Sequence, residues 1–189
     1  YYTFEDRDGS TVNDVTSNNN DLKVTSEAVT LNGTNQGFTA ANSSSLNFGT
    51  TGSFTLESWF KTSASPGDYQ RILFKNADSL DGGQQYSIDI DPNGYAEIRF
   101  NNNTSGNTAL KTDIKVNDGT WHHMASVFDN ANDKLYIYLD GQLNNTLSTM
   151  EIPKQDTGSL GIGYAINEGG STPGQYFNGQ LDDVRIWNT

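Results

Sequence analysis

Apolar residues recur at every second position along most of this chain. Phe54, Leu56 and Phe60 alternate with Thr55, Glu57, Trp59 and Lys61. Ile72 and Phe74 continue an inward series, and Tyr86, Ile88 and Ile90 alternate with Ser87, Asp89 and Asp91. A period of two is that of a half-buried strand, whereas a helix repeats every 3.6 residues. Turn residues interrupt the pattern every eight to twelve positions, the spacing of a sandwich or barrel. Asp91-Pro92-Asn93-Gly94 and Asp140-Gly141 read as hairpin turns, because proline presets φ and Asn, Asp and Gly accept positive φ. Strands are expected at 54–61, 70–75, 85–91, 95–100, 109–116, 121–129, 135–139, 159–164 and 181–187, and no helix is expected. With no linker, composition break or fixed repeat, residues 1–189 read as one antiparallel β-sandwich of about a dozen strands.

Composition removes most chemistries. Eleven Lys and Arg against 23 Asp and Glu give a net charge of −12, which repels phosphate backbones and anionic membrane surfaces. Nucleic acid is therefore not an expected partner, and no run of ~20 apolar residues predicts membrane insertion. Zero cysteines exclude disulfides, thiolate zinc sites and cysteine nucleophiles. The two histidines, His122 and His123, are adjacent, so on a strand they face opposite ways and cannot share a metal. Low charge, abundant Asn, Ser, Thr and Gly, and 11% aromatics fit an extracellular, secreted or cell-surface binding domain. The chain begins at Tyr1, and a piece of a longer protein with neighbouring domains is expected.

Sugar recognition needs an apolar plate for the ring's C–H face and planar polar groups for hydroxyl pairs, mounted on a rigid scaffold. The loops best stocked for this are 66–71, 76–83, 101–107 and 164–176. In a meander, strands 70–75, 85–91 and 95–100 are neighbours, which brings Arg71 and Arg99 toward Asp89 and Glu97 on the outward face. Tyr69, Arg71, Arg99, Tyr164 and Tyr176 are the candidate ligand-binding residues, with the sheet face around Trp59, Arg99 and Tyr138 as the fallback. Trp121-His122-His123 reads as structural, with the tryptophan packing and the histidines serving cross-strand partners.

Six segments in order resemble the laminin-G-like jelly rolls of the concanavalin A-like lectin/glucanase superfamily. They are Tyr2-Thr3-Phe4-Glu5-Asp6, Leu31-Asn32-Gly33, Phe54-Thr55-Leu56-Glu57-Ser58-Trp59-Phe60-Lys61, Asp118-Gly119-Thr120-Trp121-His122-His123, Leu135-Tyr136-Ile137-Tyr138-Leu139-Asp140-Gly141, and the closing run from Phe177 to Trp187. The resemblance implies a jelly roll and a lectin-like role. Glucanases of that superfamily carry Glu-x-Asp-x-x-Glu on one strand. Here Glu5-Asp6-Arg7-Asp8 and Asp89-Ile90-Asp91 lack that spacing, and the histidine and tyrosine strings of the superfamily's lyases are missing. No catalytic residue is assigned. The resemblance also implies a structural calcium ion where the first strand, the Leu-Asn-Gly turn and the last strand meet, held by Asp6, Gly33 and Asp182, with Glu5 and Asp183 as alternates. The expected function is a non-catalytic carbohydrate-binding module that anchors a protein to a polysaccharide or glycan. An adhesion or spacer domain with a protein ligand is the alternative, and a polysaccharide hydrolase or lyase the distant one.

Overall fold

Two six-stranded antiparallel sheets carry most of the chain. The structure, a computed structural model, describes residues 2–8, 11–14, 22–23, 28–48, 52–65, 67–76, 84–101, 107–148, 157–166 and 174–188; in the first three strands only the backbone is described. Those strands are β1 (Tyr2–Asp8), β2 (Thr11–Asp14) and β3 (Leu22–Lys23). They are followed by β4 (Val29–Asn32), β5 (Phe38–Ala40), β6 (Phe54–Lys61), β7 (Gln70–Asn76), β8 (Gln84–Ile90) and β9 (Tyr95–Asn101). The remainder are β10 (Asn107–Lys115), β11 (Trp121–Asp129), β12 (Lys134–Leu139), β13 (Gln142–Ser148), β14 (Leu160–Ile162) and β15 (Asn178–Asn188). Helical structure among the described residues is limited to 3-10 turns at Ser44–Leu46 and Asn130–Asn132.

The first sheet has the order β10-β9-β8-β7-β14-β5 and the second β13-β12-β11-β6-β15-β4. Their inner faces share one core, with Ile72, Leu73, Tyr86, Ile88, Ile98 and Phe100 from the first sheet against Phe54, Leu56, Phe60, Met124, Phe128 and Ile137 from the second. Rings interlock across it: Phe54 stacks on Phe128 at 5.0 Å, and Phe100 meets Phe128 edge-on at 5.7 Å. Each such side chain contributes about 1.5–3 kcal/mol by leaving water. The period-two reading is thereby realised as a sandwich of twelve strands in two sheets.

Local chemistry fixes the turns. Asp91 Oδ1 accepts from Asn93 N at 2.8 Å and Tyr95 N at 2.9 Å, and Gly94 takes φ +92°. At Gly94 a Cβ would stand 2.2 Å from Asn117 Oδ1, so side chains are excluded there. Asp140 and Gly141 are both left-handed, at φ 50° and 78°, which is the mirror-image geometry that matches strand twist. Asp140 also accepts from His123 N at 2.8 Å and lies 2.9 Å from His122 Nδ1, while Asp118 lies 3.3 Å from His122 Nε2. His122 thus ties two turns together, the structural role expected of it.

Three features depart from the sequence reading. β1 pairs with β2 in a separate three-stranded sheet with β3, and the neighbours of β15 are β4 and β6. β5 and β13 had no bounds in that reading, although the Asp140-Gly141 hairpin turn implies a strand at β13. Both are sheet-edge strands whose side chains are largely exposed or half-exposed, so no inward apolar series marks them. A bulge between Arg71 and Leu73 also interrupts the alternation in β7: Arg71 pairs with Asp89, Leu73 with Ile88 and Phe74 with Ser87. The extra residue sends Ile72 and Leu73 into the core and turns Phe74 to the outer face, away from the inward series in which it was expected.

Candidate functional site

That bulge builds the best candidate site. On the outer face of the first sheet it places Arg71 and Phe74 of β7 beside Ser87 and Asp89 of β8, and β9 adds Glu97 opposite Asp89 and Arg99 opposite Ser87. Arg71 Nη1 pairs with Asp89 Oδ2, which also accepts from Ser87 Oγ at 2.8 Å. Arg71 Nε donates to Gln175 Oε1 at 2.7 Å and Arg71 N to Gln175 O at 3.0 Å. Gln175 Nε2 in turn donates to Asp68 Oδ1 at 3.1 Å. The Arg71 guanidinium lies 4.9 Å from the Tyr69 ring centre and 5.2 Å from that of Phe74. Arg99 lies 4.7 Å from the same Tyr69 ring, and its Nε is 3.3 Å from Glu97 Oε1. One tyrosine therefore engages two arginines, each of which has its own buried acid.

Burial dominates the electrostatics. Asp89 is fully buried, and desolvation pushes its carboxyl up despite the opposing pull of Arg71 and Ser87. Glu97 is pushed up to about 7 by desolvation and by the Asp89 charge, against Arg99. Asp89 Oδ1, Glu97 Oε1 and both amide atoms of Gln85 are buried without a hydrogen-bond partner. Further along this face Lys111 Nζ stands 3.7 Å from Asp91 Oδ2.

Tyr164 and Tyr176 form a second aromatic element. Their rings stack at 5.4 Å with 9° between planes, and Tyr164 Oη shares a hydrogen bond with Thr39 Oγ1 of β5. Gly37 makes room for this: a Cβ there would lie 2.4 Å from the Tyr164 ring. Tyr176 follows Gln175, so the backbone joins this pair to Arg71, although no described contact joins the two groups directly. The structure brings Tyr69, Arg71 and Arg99 into one cluster and pairs Tyr164 with Tyr176 beside it. Ser87 shares the Asp89 face by simple alternation and was readable from it, whereas Gln85 lies at a register shift between β7 and β8. Phe74 was not readable, because nothing in the sequence marks the bulge. Residues 77–83, 102–106 and 167–173, which fall in the loops expected to serve a ligand, lie outside the described residues.

The fallback face does not exist as a unit. Trp59 and Tyr138 lie on the outer face of the second sheet, on the opposite side of the sandwich from Arg99. There Trp59 packs on His123 at 5.2 Å, and Tyr136 and Tyr138 lie 6.4 Å apart. Glu57 is held down to about 2, chiefly by the His123 imidazole 3.5 Å away, with Trp187 Nε1 at 2.9 Å and Arg185 Nη1 at 3.4 Å assisting against partial burial.

Two of the implied calcium ligands, Gly33 and Asp182, are not brought together. β15 pairs with β4 through Asn178–Asn32 and Leu181–Val29, and Gly33 N donates to Phe177 O at 3.0 Å. Gly33 therefore stands opposite Phe177, about five strand residues or ~16 Å from Asp182. Calcium ligands lie ~2.4 Å from the ion, so one ion cannot take both. Asp182 Oδ1 accepts from Asp183 N at 2.9 Å, and Asp183 Oδ2 is 2.9 Å from Arg185 Nη2. Asp6 is on β1, in the separate small sheet, and its side chain lies outside the described residues. Among the described residues no three His, Asp or Glu side chains are grouped to hold a metal.

A family model of the Concanavalin A-like lectin/glucanases superfamily, Laminin_G_3, matches residues 32–189. The chain belongs to this laminin G family. Among solved structures the domain is similar to the Ruminococcus gnavus IT-sialidase CBM40 bound to α2,3-sialyllactose, with TM-score 0.64 and 16% identity over 86% of this chain and 88% of that one. It is also similar to the binding domain of Paraclostridial Mosquitocidal Protein 1, with TM-score 0.63 and 14% identity over 96% of this chain and 47% of the other. Among curated proteins, the rat (Rattus norvegicus) Sushi, von Willebrand factor type A, EGF and pentraxin domain-containing protein 1 is 27% identical over 77 residues, 39% of this chain. The chain spans 2% of that relative's length. At such identities the structural likenesses establish the fold alone.

Proposed function

We propose that this laminin G domain is a non-catalytic, extracellular glycan-binding module whose site is the outer face of the first sheet. The observation that carries the reading is the Tyr69 ring engaged by Arg71 and Arg99, at 4.9 and 4.7 Å, above buried carboxylates. Aromatic rings offer surface to a pyranose C–H face, and guanidinium, amide and carboxylate groups offer the planar pairs that vicinal hydroxyls need. Tyr164, Tyr176 and Gln175 extend the same chemistry along the adjoining loops. The carbohydrate-binding module among the structural neighbours supports a glycan ligand, and the acidic, cysteine-free composition supports an extracellular setting.

Asp89 and Glu97, paired across two strands with both carboxyls pushed up, have the look of a hydrolytic acid pair. Their packing argues against catalysis: Asp89 is sealed, with Oδ2 already occupied by Arg71 and Ser87, so it has no line of attack on a sugar. A second reading, adhesion to a protein, is favoured by Trp59, Trp121 and Leu143, exposed at 38%, 37% and 55% on the second sheet.

A glycan array probed with wild type, Tyr69→Ala and Tyr176→Ala tests the first reading. Each substitution is expected to weaken binding at least tenfold while the melting temperature moves by less than ~4 °C, about 1 kcal/mol for a chain of this size. A blank array, or unweakened binding by both variants, overturns it and leaves the protein-adhesion reading.

A further inference from the structure

The charges under the site narrow what kind of sugar fits, if the glycan reading above is the right one. Three cations of this face are paired with acids, Arg71 with Asp89, Arg99 with Glu97 at 3.3 Å and Lys111 with Asp91 at 3.7 Å, while Lys115 at its edge lies 5.9 Å from the Tyr95 ring. Arg71 is committed further, since its Nε is bonded to Gln175 and its guanidinium lies against both Tyr69 and Phe74. Arg99 is the more available cation, because its one described ionic contact is Glu97.

A ligand carboxylate or sulfate reaching Arg99 would have to draw it from Glu97. That leaves Glu97, beside the fully buried Asp89, either a buried anion without its counter-charge or obliged to take up a proton, and either outcome costs binding free energy. A hydroxyl makes no such demand. It accepts from the guanidinium and donates to a carboxylate while the ion pair stays closed.

The unpartnered atoms point the same way. Asp89 Oδ1 and Glu97 Oε1 are buried acceptors without a donor, and Gln85, four residues earlier on β8, lacks partners for both amide atoms. Both acids are thus short of hydrogen-bond donors, and an anion brought to this face adds only further acceptors. The net charge of −12 adds a long-range repulsion toward any anionic polymer.

We propose that this site takes an uncharged, hydroxyl-rich saccharide and discriminates against carboxylated or sulfated ones, because its arginines are neutralised from below by acids that are themselves short of donors. The inference sets this chain apart from the neighbouring module crystallised with sialyllactose. The test is an array carrying neutral glucose, galactose and mannose oligosaccharides beside counterparts capped with glucuronate, galacturonate, sialic acid or sulfate. Wild-type protein is expected to bind its best neutral member at least tenfold more tightly than the matched acidic one. Equal or tighter binding to the acidic member overturns this inference while leaving the glycan reading intact, and silence across the array overturns both. Glu97→Gln, which releases Arg99, is expected to raise binding to the acidic members at least threefold; no rise counts against Arg99 neutralisation as the cause. The wild-type ranking decides the matter even where that variant folds poorly.

Discussion

Glu57 and Glu97 occupy equivalent situations on the two outer faces of the sandwich, each beside an arginine and near an aromatic ring. Glu97 is nonetheless pushed up to about 7, and Glu57 is held down to about 2. The difference lies in what surrounds the pair. Glu97 shares its pocket with a second acid, Asp89, and its side chain is 7% exposed, so desolvation and like charge outweigh Arg99. Glu57, at 17%, keeps more water and receives hydrogen bonds from His123 and Trp187 in addition to Arg185. An ion pair is therefore no measure of stabilisation by itself: the first face stores unfavourable electrostatic energy, and the second relieves it. Perturbed carboxylates of that kind cluster at functional sites, and structural ion-pair networks hold them as well.

The contrast is broken most severely at Asp89. Removing one partner of a buried pair strands the other, at a cost of about 3–5 kcal/mol. Asp89→Ala is expected to lower the melting temperature by about 10 °C or more, at roughly 2–4 °C per kcal/mol. Glu57→Gln on the half-exposed face is expected to cost about 1 kcal/mol or less. Comparable drops in a thermal melt of the two variants would mean that the faces are not electrostatically distinct.

Much of this contrast was legible in the sequence, and the missing part has a physical reason. Alternation in β8 and β9 places Asp89 opposite Glu97 and Arg71 and Arg99 nearby, because side-chain period and hairpin register are local properties. The depth of burial was not legible, since it depends on what packs over the sheet, and neither was the bulge that turns Phe74 outward. The fallback grouping of Trp59 with Arg99 failed for a related reason. Alternation tells inside from outside within one sheet, but not which of two sheets a strand joins. Gly33 and Asp182 came apart because the register of β4 on β15 is a long-range property that no short motif encodes.

Titration separates the two glutamates by sign. Glu97 holds its proton more tightly folded than unfolded, so its contribution is fully present below about 4.5 and is lost as pH rises through about 7. Glu57 holds its proton less tightly when folded, so its contribution is present above about 4.5 and is lost as pH falls through about 2. Melting temperature is expected to decline by a few degrees between pH 5 and 8 in wild type, and Glu97→Gln is expected to flatten that slope. Below pH 4.5 the steepness should be reduced in Glu57→Gln and unchanged in Glu97→Gln. The reverse assignment of the two slopes would invert the comparison.

The smallest effect concerns calcium, and it asks whether the second face is neutralised by protein or by metal. Arg185 lies 3.4 Å from Glu57 and 2.9 Å from Asp183, and Asp182 caps the next backbone N–H, so these acids already have internal partners. A cation arriving there must compete with Arg185, and Gly33 stands too far along β15 to help hold it. An ion bound near its own Kd stabilises by about 0.4 kcal/mol, from RT ln 2. Removing it should then lower the melting temperature by only ~1–2 °C. The measurement is a pair of melts in calcium and in EDTA, repeated on Asp182→Ala. A fall of 5–10 °C in wild type that Asp182→Ala abolishes would establish a tight structural ion. It would also show that the acids of this face depend on a metal as those of the first face depend on their arginines.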